Sequence, residues 1–303
     1  MNPPKAPPVA GMIYDRHSGT WFREHIHGGW AVKALYGPPF TLGLRWLLAH
    51  VPLVSKLYGR WQERPASRNS IKPFMERFGL DPSEFRDAPD TFPHFNAFFA
   101  RQLQPEARPL DPDPDRLIAP GDGKILVFPS IGRHLEMPIK GASARLEQLL
   151  GDASLAETYR GGSGFVLRLA PYDYHRFHFP ASGHAGTTRV LAGPLHSVHP
   201  LALARVPGVL EANLRTLTLI DTPTFGRLAL LEVGALCVGS IVQTHVPGPV
   251  TRGQEKGHFA FGGSTTLLLA EPGRLIFDED LVEASLAGHE VQVRMGTGLG
   301  RRT

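Results

Sequence analysis

Cysteine is nearly absent from this chain of 303 residues. Its single thiol, Cys237, excludes an intramolecular disulfide and suits a reducing compartment. Set in the apolar run "LLEVGALCVGSIV", it reads as a buried structural thiol and not as a reactive one. Blocks of consecutive lysine and arginine are also lacking, which removes the footprint of a nucleic-acid binder. The formal charge of +4 favours instead an anionic membrane surface or an acidic ligand. No apolar run is suited to span a bilayer, because "FTLGLRWLLAHVPLVSKLY" is broken by Arg45, His50, Pro52 and Lys56. The opening "MNPPKAPPVAGM" carries neither the basic nor the apolar region of a signal peptide, so no secretion is expected. Cysteine clusters and His-Glu-x-x-His helices are missing, and no metal is expected.

What is present is enough apolar residue, 42% of the chain, to bury a sizeable core. From Trp30 to Leu103 the pattern is helical. In "SIKPFMERFGLDPSEF", Ile71, Phe74, Met75 and Phe78 recur at helical offsets, with Ser70 as the cap and Gly79 as the stop. The phrase "TFPHFNAFFARQL" predicts a second helix with Phe95, Phe98, Phe99 and Leu103 along one side. Leu42, Leu44, Trp46, Leu47 and Leu48, flanked by Arg45, Lys56 and Arg60, suit either a helix lying on a bilayer or one packed on the main body. After the linker "RPLDPDPDRL", short apolar runs alternate with Gly and Pro turns, and "ARLEQLLGDASLAETY" is the one helix-like insertion. The expectation is an α+β protein, with a helical region over residues 1–110 and a mostly antiparallel, β-rich domain over residues 111–303.

Three polar islands interrupt the β-rich part. In "APGDGKI", Asp122 stands between two glycines ahead of a strand, either as a plain turn residue or as a carboxylate placed for chemistry. In "PYDYHRFHFPASG", His175 and His178 are three apart; a helical turn would put them on one face and an extended segment on opposite sides. Imidazole titrates near neutral pH, so acid/base work suits this pair better than metal binding. In "KGHFAFGGSTTLLLAEPGRLIF", Ser264 follows Gly262 and Gly263, which shield the preceding carbonyl little, so the serine hydroxyl could attack its own backbone. Serine, histidine and aspartate together suggest nucleophile, base and orienting carboxylate, and whether they meet is left open.

The ordered phrases "FNAFFARQLQPEARPL", "APGDGKI", "YDYHRFHFPASG", "HSVHPLAL", "LLEVGALCVGSIVQT", "KGHFAFGGSTTLLL" and "VRMGTGLG" resemble the phosphatidylserine decarboxylase family, in its bacterial subgroup without a transmembrane anchor. The likeness runs from Ile13 to Gly300. It implies a proenzyme that cuts itself between Gly263 and Ser264, His178 taking the serine proton and Asp122 holding His178 in the right tautomer. Ser264 would end as a covalent pyruvoyl group that binds phosphatidylserine as a Schiff base. His175 would serve decarboxylation and reprotonation, and the products would be CO2 and phosphatidylethanolamine. The resemblance also implies a peripheral protein at the cytoplasmic face of the cell membrane, docked through its N-terminal helices. The long and short chains would stay associated, a homodimer is left open, and no nucleic acid is a partner.

The family phrase Tyr-Ser-Val-Asn-Pro stands here as His196-Ser197-Val198-His199-Pro200, and "EANLR" keeps Asn213. His196, His199 and Asn213 are therefore expected to border the substrate. Two other readings stay open. One is a serine hydrolase, against which no Gly-x-Ser-x-Gly elbow surrounds Ser264. The other is a non-catalytic β module that binds lipid. A different serine-headed lipid is the alternative substrate.

Overall fold

The computed structural model of the chain describes residues 11–24, 29–37, 41–50, 59–136, 143–198, 200–235, 240–260 and 264–303. Cys237, His199 and Gly263 lie outside them. Among the described residues eleven strands join in one sheet, antiparallel except where Ile13–Asp15 runs parallel to Val291–Val293. Its central strands are Arg215–Thr222, Gly226–Val233, Ser264–Ala270, Ser163–Leu169 and Gly123–Phe128, neighbours in that order. The architecture is α+β, as expected.

These strands read as continuous apolar runs because both faces of the sheet are covered. On one face Ile125, Leu167, Leu230 and Leu268 pack with Phe177, Phe179 and Phe259. Phe177 and Phe259 come from a smaller sheet of Ile241–Gln243, Glu255–Phe259 and Arg176–His178. On the other face Leu217, Leu231, Leu267 and Leu269 pack with Leu149, Leu150, Tyr159 and Leu210 of short helices. The Ser264–Ala270 strand is buried at every position. Each leucine so buried contributes about 1.5–3 kcal/mol.

The helix expected over the first aromatic repeat is Ile71–Phe78, ended by Gly79 in the left-handed conformation at φ 61°. Ser70 does not cap it. The 3-10 turn Pro65–Ser70 runs directly into the helix and leaves Ser70 with near-helical angles, φ −84° and ψ −12°, and no side-chain cap bond. The second helix is shorter than its pattern, Phe95–Phe99, and is capped by His94, whose Nδ1 accepts from the Ala97 amide. Phe74, Phe85, Phe92, Phe95, Phe98 and Phe99 close together in one aromatic core. The N-terminal region is not helical alone: Ile13–Asp15 and Thr20–Phe22 extend the large sheet. Arg16 anchors this edge through Asp278 at 2.6 Å and Asp280 at 2.7 Å. The insertion "ARLEQLLGDASLAETY" forms two helices, Leu146–Leu150 and Ala153–Tyr159. Gly151 turns left-handed between them, and Asp152 caps the second through the Leu155 amide.

Two further helices, α1 (Gly29–Tyr36) and α2 (Leu42–His50), belong to the N-terminal part. No helix among the described residues is long and apolar enough to cross a membrane.

Leu268 is wholly buried at the centre of the sheet. Leu268→Ala should therefore cost about 2–5 kcal/mol in urea unfolding. A loss below about 1 kcal/mol, less than one buried CH2 pair contributes, would mean that this strand does not carry the core.

Candidate active site

Ser264 opens the strand that lies between Gly226–Val233 and Ser163–Leu169, and in register it faces Leu169. Its Oγ is buried and has no hydrogen-bond partner among the described residues. Leaving a hydroxyl unpaired in the interior costs about 1–3 kcal/mol. That is the expected condition of a group kept for reaction. One pleat further along, Thr266 opposes Glu232, whose carboxylate is held by the buried Lys256 ammonium at 3.0 Å.

His178 ends the Arg176–His178 strand, which is fastened on two sides. Its amide donates to the Pro120 carbonyl at 2.8 Å, and across the small sheet it opposes Glu255. Its Nδ1 is buried without a partner among the described residues. Burial lowers the basicity of this imidazole below the ordinary value, against the opposing pull of Glu255, the Pro120 carbonyl and Asp122. The ring is thus neutral at neutral pH, the form a general base needs.

His175 precedes the same strand, so the two histidines do not share a helical face. Its Nδ1 lies 2.9 Å from the Asp173 carbonyl. A carbonyl can only accept, so Nδ1 carries the proton and the neutral ring has its lone pair on Nε2. The ring packs on Phe99 with centroids 3.9 Å apart, which ties this histidine to the aromatic core.

Asp122 is placed beside these groups by a close approach of backbone. A Cβ on Gly123 would sit 2.6 Å from the Arg168 carbonyl, so only glycine fits after the aspartate. The resemblance implies that Asp122 holds the His178 tautomer. Here its carboxylate accepts from Arg108 Nε at 3.0 Å, Arg108 Nη2 at 2.7 Å and the Met295 amide at 2.8 Å. No hydrogen bond joins Asp122 to His178 among the described residues, and the aspartate acts on the imidazole through its charge. Burial works against the charge of Arg108, but Asp122 and Glu84 more than offset it and raise the guanidinium above its usual range.

Sequence reasoning missed a second buried pair. Lys124 Nζ donates to both Asp173 oxygens at 2.8 and 3.1 Å and lies 4.3 Å from the centre of the Tyr172 ring. Asp173 also accepts from the Ala170 amide at 2.6 Å. Burial pushes the Asp173 carboxyl up, while Lys124 and the Ala170 amide pull it down. The pair fixes the turn whose carbonyl sets the His175 tautomer. The available signal was a lysine inside the buried run "GKILVF", since a lysine in such a strand needs a partner.

Asn213 is fully buried, and its amide is committed to backbone. It donates to the carbonyls of His196 and Gly234 at 2.8 Å each and accepts from the His196 amide at 3.0 Å. Gly234 follows Val233, which opposes Thr265. The clamp therefore ties the His196 segment to the end of the strand that pairs with Ser264–Ala270. His196 itself is half-buried, and burial, with the neighbouring His50 and Arg45, lowers its pKa to about 4. Asn213 thus spends its side chain on backbone groups, and His196 lies on the segment that it holds. Among the described residues no group of His, Cys, Asp or Glu could hold a metal.

A profile of the family described as phosphatidylserine decarboxylase matches residues 95–301. A protein of Chlamydia muridarum is 44% identical over 292 residues, 96% of this chain and 97% of its own length. One from Clostridium perfringens is 38% identical over 291 residues, 96% and 99% of the two chains. One from Ruminiclostridium cellulolyticum is 39% identical over 291 residues, 95% and 97%. All three are named phosphatidylserine decarboxylase proenzyme.

Lys124→Met would strand the Asp173 charge in the interior. The expected cost is about 3–5 kcal/mol in denaturant unfolding, as for other buried pairs broken on one side. Replacing both residues by apolar ones should recover part of it, and equal losses in the single and double variants would contradict the pairing.

Proposed function

Since this chain belongs to the phosphatidylserine decarboxylase family, we propose that it matures by cutting itself between Gly263 and Ser264 and works with a pyruvoyl group made from that serine. Its activity is that of the family, a carboxy-lyase that turns phosphatidylserine into phosphatidylethanolamine and CO2. The single observation that carries the self-processing reading is the buried Oγ of Ser264 at the head of a strand, without a partner among the described residues, in a fold that also supplies a neutral buried imidazole.

His178 takes the hydroxyl proton, and Ser264 Oγ attacks the Gly263 carbonyl carbon. The peptide C–N bond breaks as the proton passes to the serine nitrogen, which leaves an ester and a free amine. Removal of the Ser264 Cα proton then expels the Gly263 carboxylate from Cβ. Water converts the resulting enamine to a ketone and releases ammonia. Only a residue with a β-oxygen can serve both as attacking group and as leaving group, which explains the serine at this position.

The residues present fit that product. Ser264 heads a fully buried strand paired on both sides, so residues 264–303 stay within the sheet once the bond is cut. The pyruvoyl group supplies a ketone that draws electrons from an amine substrate as its neighbouring carboxylate leaves as CO2. His175, with Nδ1 fixed on the Asp173 carbonyl, presents Nε2 as the nitrogen that exchanges a proton with the substrate carbon. After that hydrolysis the buried surroundings limit the further entry of water, which would compete for both the ketone and the developing charge.

The substrate lies in a bilayer, and withdrawing a lipid exposes acyl chain at about 0.8 kcal/mol per CH2. On α2, Leu44, Trp46 and Leu47 are 53%, 59% and 45% exposed, which supports a peripheral protein docked by this helix on a membrane surface.

Intact mass of purified protein should reveal two chains, with the one spanning residues 264–303 blocked by pyruvoyl, and a single whole chain for Ser264→Ala. His178→Gln should slow maturation by about 10²–10⁴-fold. Maturation should hold its rate down to below pH of about 6.5, the ordinary imidazole value, and fall on further acidification as the depressed pKa of His178 is passed. A fall that starts well above that pH would remove His178 as the base. For docking, the triple variant Leu44→Ser, Trp46→Ser, Leu47→Ser should weaken binding to anionic vesicles by at least about tenfold. Undiminished binding by the cleaved, folded variant would refute the surface.

A further inference from the structure

Three basic side chains gather at the end of α2. The His50 ring meets the His196 ring edge-on, with centroids 5.4 Å apart, and stacks on Trp46 at 5.0 Å. The Arg45 guanidinium lies 5.5 Å from the centre of the Tyr36 ring, and the Tyr36 hydroxyl accepts from the Ser197 amide at 2.9 Å. The Leu195 amide donates to the Ala49 carbonyl at 2.8 Å, so α2 and the 195–198 segment are joined through backbone as well. His196 Nδ1 is buried without a partner among the described residues. No carboxylate acts on His196: the charged groups that do are His50 and Arg45, both basic. The residues outside the description contain no Asp or Glu.

A guanidinium beside two imidazoles, one with a buried Nδ1 that has no partner among the described residues, is a set of hydrogen-bonding groups with no anion to receive it. We infer that Arg45, His50 and His196 form a subsite for the phosphodiester of the lipid substrate, an inference that rests on the decarboxylase reading above. The order of groups along the protein matches the order along a phospholipid. Leu44, Trp46 and Leu47 face outward where acyl chains lie. The basic cluster comes next, at the level of the phosphate. Beyond it the Asn213 clamp carries the His196 segment to Gly234, beside Ser264, where the serine amine must react. The phosphate lies a few bonds from that amine, so fixing it also fixes the reacting group.

The test uses a short-chain phosphatidylserine below its micelle concentration, which takes membrane docking out of the measurement. Arg45→Gln/His50→Gln should raise KM by about tenfold, the loss of one charge-assisted contact, with most of the effect in KM and not in kcat. Arg45→Lys should restore part of it. Inorganic phosphate should compete with this substrate in the unaltered enzyme and compete less in the double variant. Cleavage into two chains reports folding. If the double variant stays whole, His50→Gln alone, with phosphate competition on the unaltered enzyme, decides by the same criteria. Unchanged KM in a cleaved variant overturns the subsite, as does a loss seen with vesicles but not with the monomeric lipid. Phosphate inhibition without any change in KM marks an unrelated anion site and overturns it too. Failure of the unaltered, cleaved enzyme to release CO2 from any phosphatidylserine would instead overturn the decarboxylase reading.

Discussion

Seven residues, Ser264–Ala270, hydrogen-bond to a strand on each side and bury their side chains on both faces. This pairing does two things at once. It holds a serine hydroxyl at the end of a rigid element, where its direction is set by the sheet and not by a loop. It also means that a break in front of Ser264 frees no core element, because strand pairing and leucine packing continue on the C-terminal side of the break. Backbone scission in most buried strands would cost a protein its core. A break in front of Ser264 would fall at the strand's first residue.

Around that strand the interior is unusually rich in charge. Lys124 with Asp173, Lys256 with Glu232, Arg108 with Asp122, and Arg168 with Glu24 and Glu290 are buried or nearly so. Such pairs add little net stability, because desolvation offsets most of their attraction. Their value is directional. The Lys124 pair fixes the carbonyl that decides which nitrogen of His175 carries the proton. Arg108 and the Met295 amide hold the Asp122 carboxylate still while its charge is felt at His178. Burial acts most on the His178 imidazole, while Asp122 keeps its guanidinium partner.

The N-terminal part is coupled to this centre at two places. Phe99 brings the aromatic core against His175, and α2 reaches the His196 segment through ring contacts and a backbone bond. A helix with exposed apolar residues is thus joined through His196 and Asn213 to the end of the strand that pairs with Ser264–Ala270. That connection gives a physical reason for the helical region to be part of the enzyme and not a detachable anchor.

Local rules sufficed for much of this. Helical spacing of Ile71, Phe74, Met75 and Phe78 with Gly79 after it produced the observed helix, and the unbroken apolar run after Ser264 produced a central strand, because both depend on side-chain periodicity and turn chemistry alone. Asp122, His178 and Ser264 stood out through their glycine and histidine surroundings. What local rules could not supply were contacts between distant segments: Ile13–Asp15 reaching the sheet beside Val291–Val293, Arg108 taking Asp122, Lys124 finding Asp173, and Ser70 losing its cap role to the turn before it. By itself the sequence determined the elements and the chemical groups, since these follow from residue type and order. Only the tertiary structure decided which charges neutralise one another and which hydroxyl and imidazole stay without a partner among the described residues, because burial and partnership are properties of groups brought together across the fold.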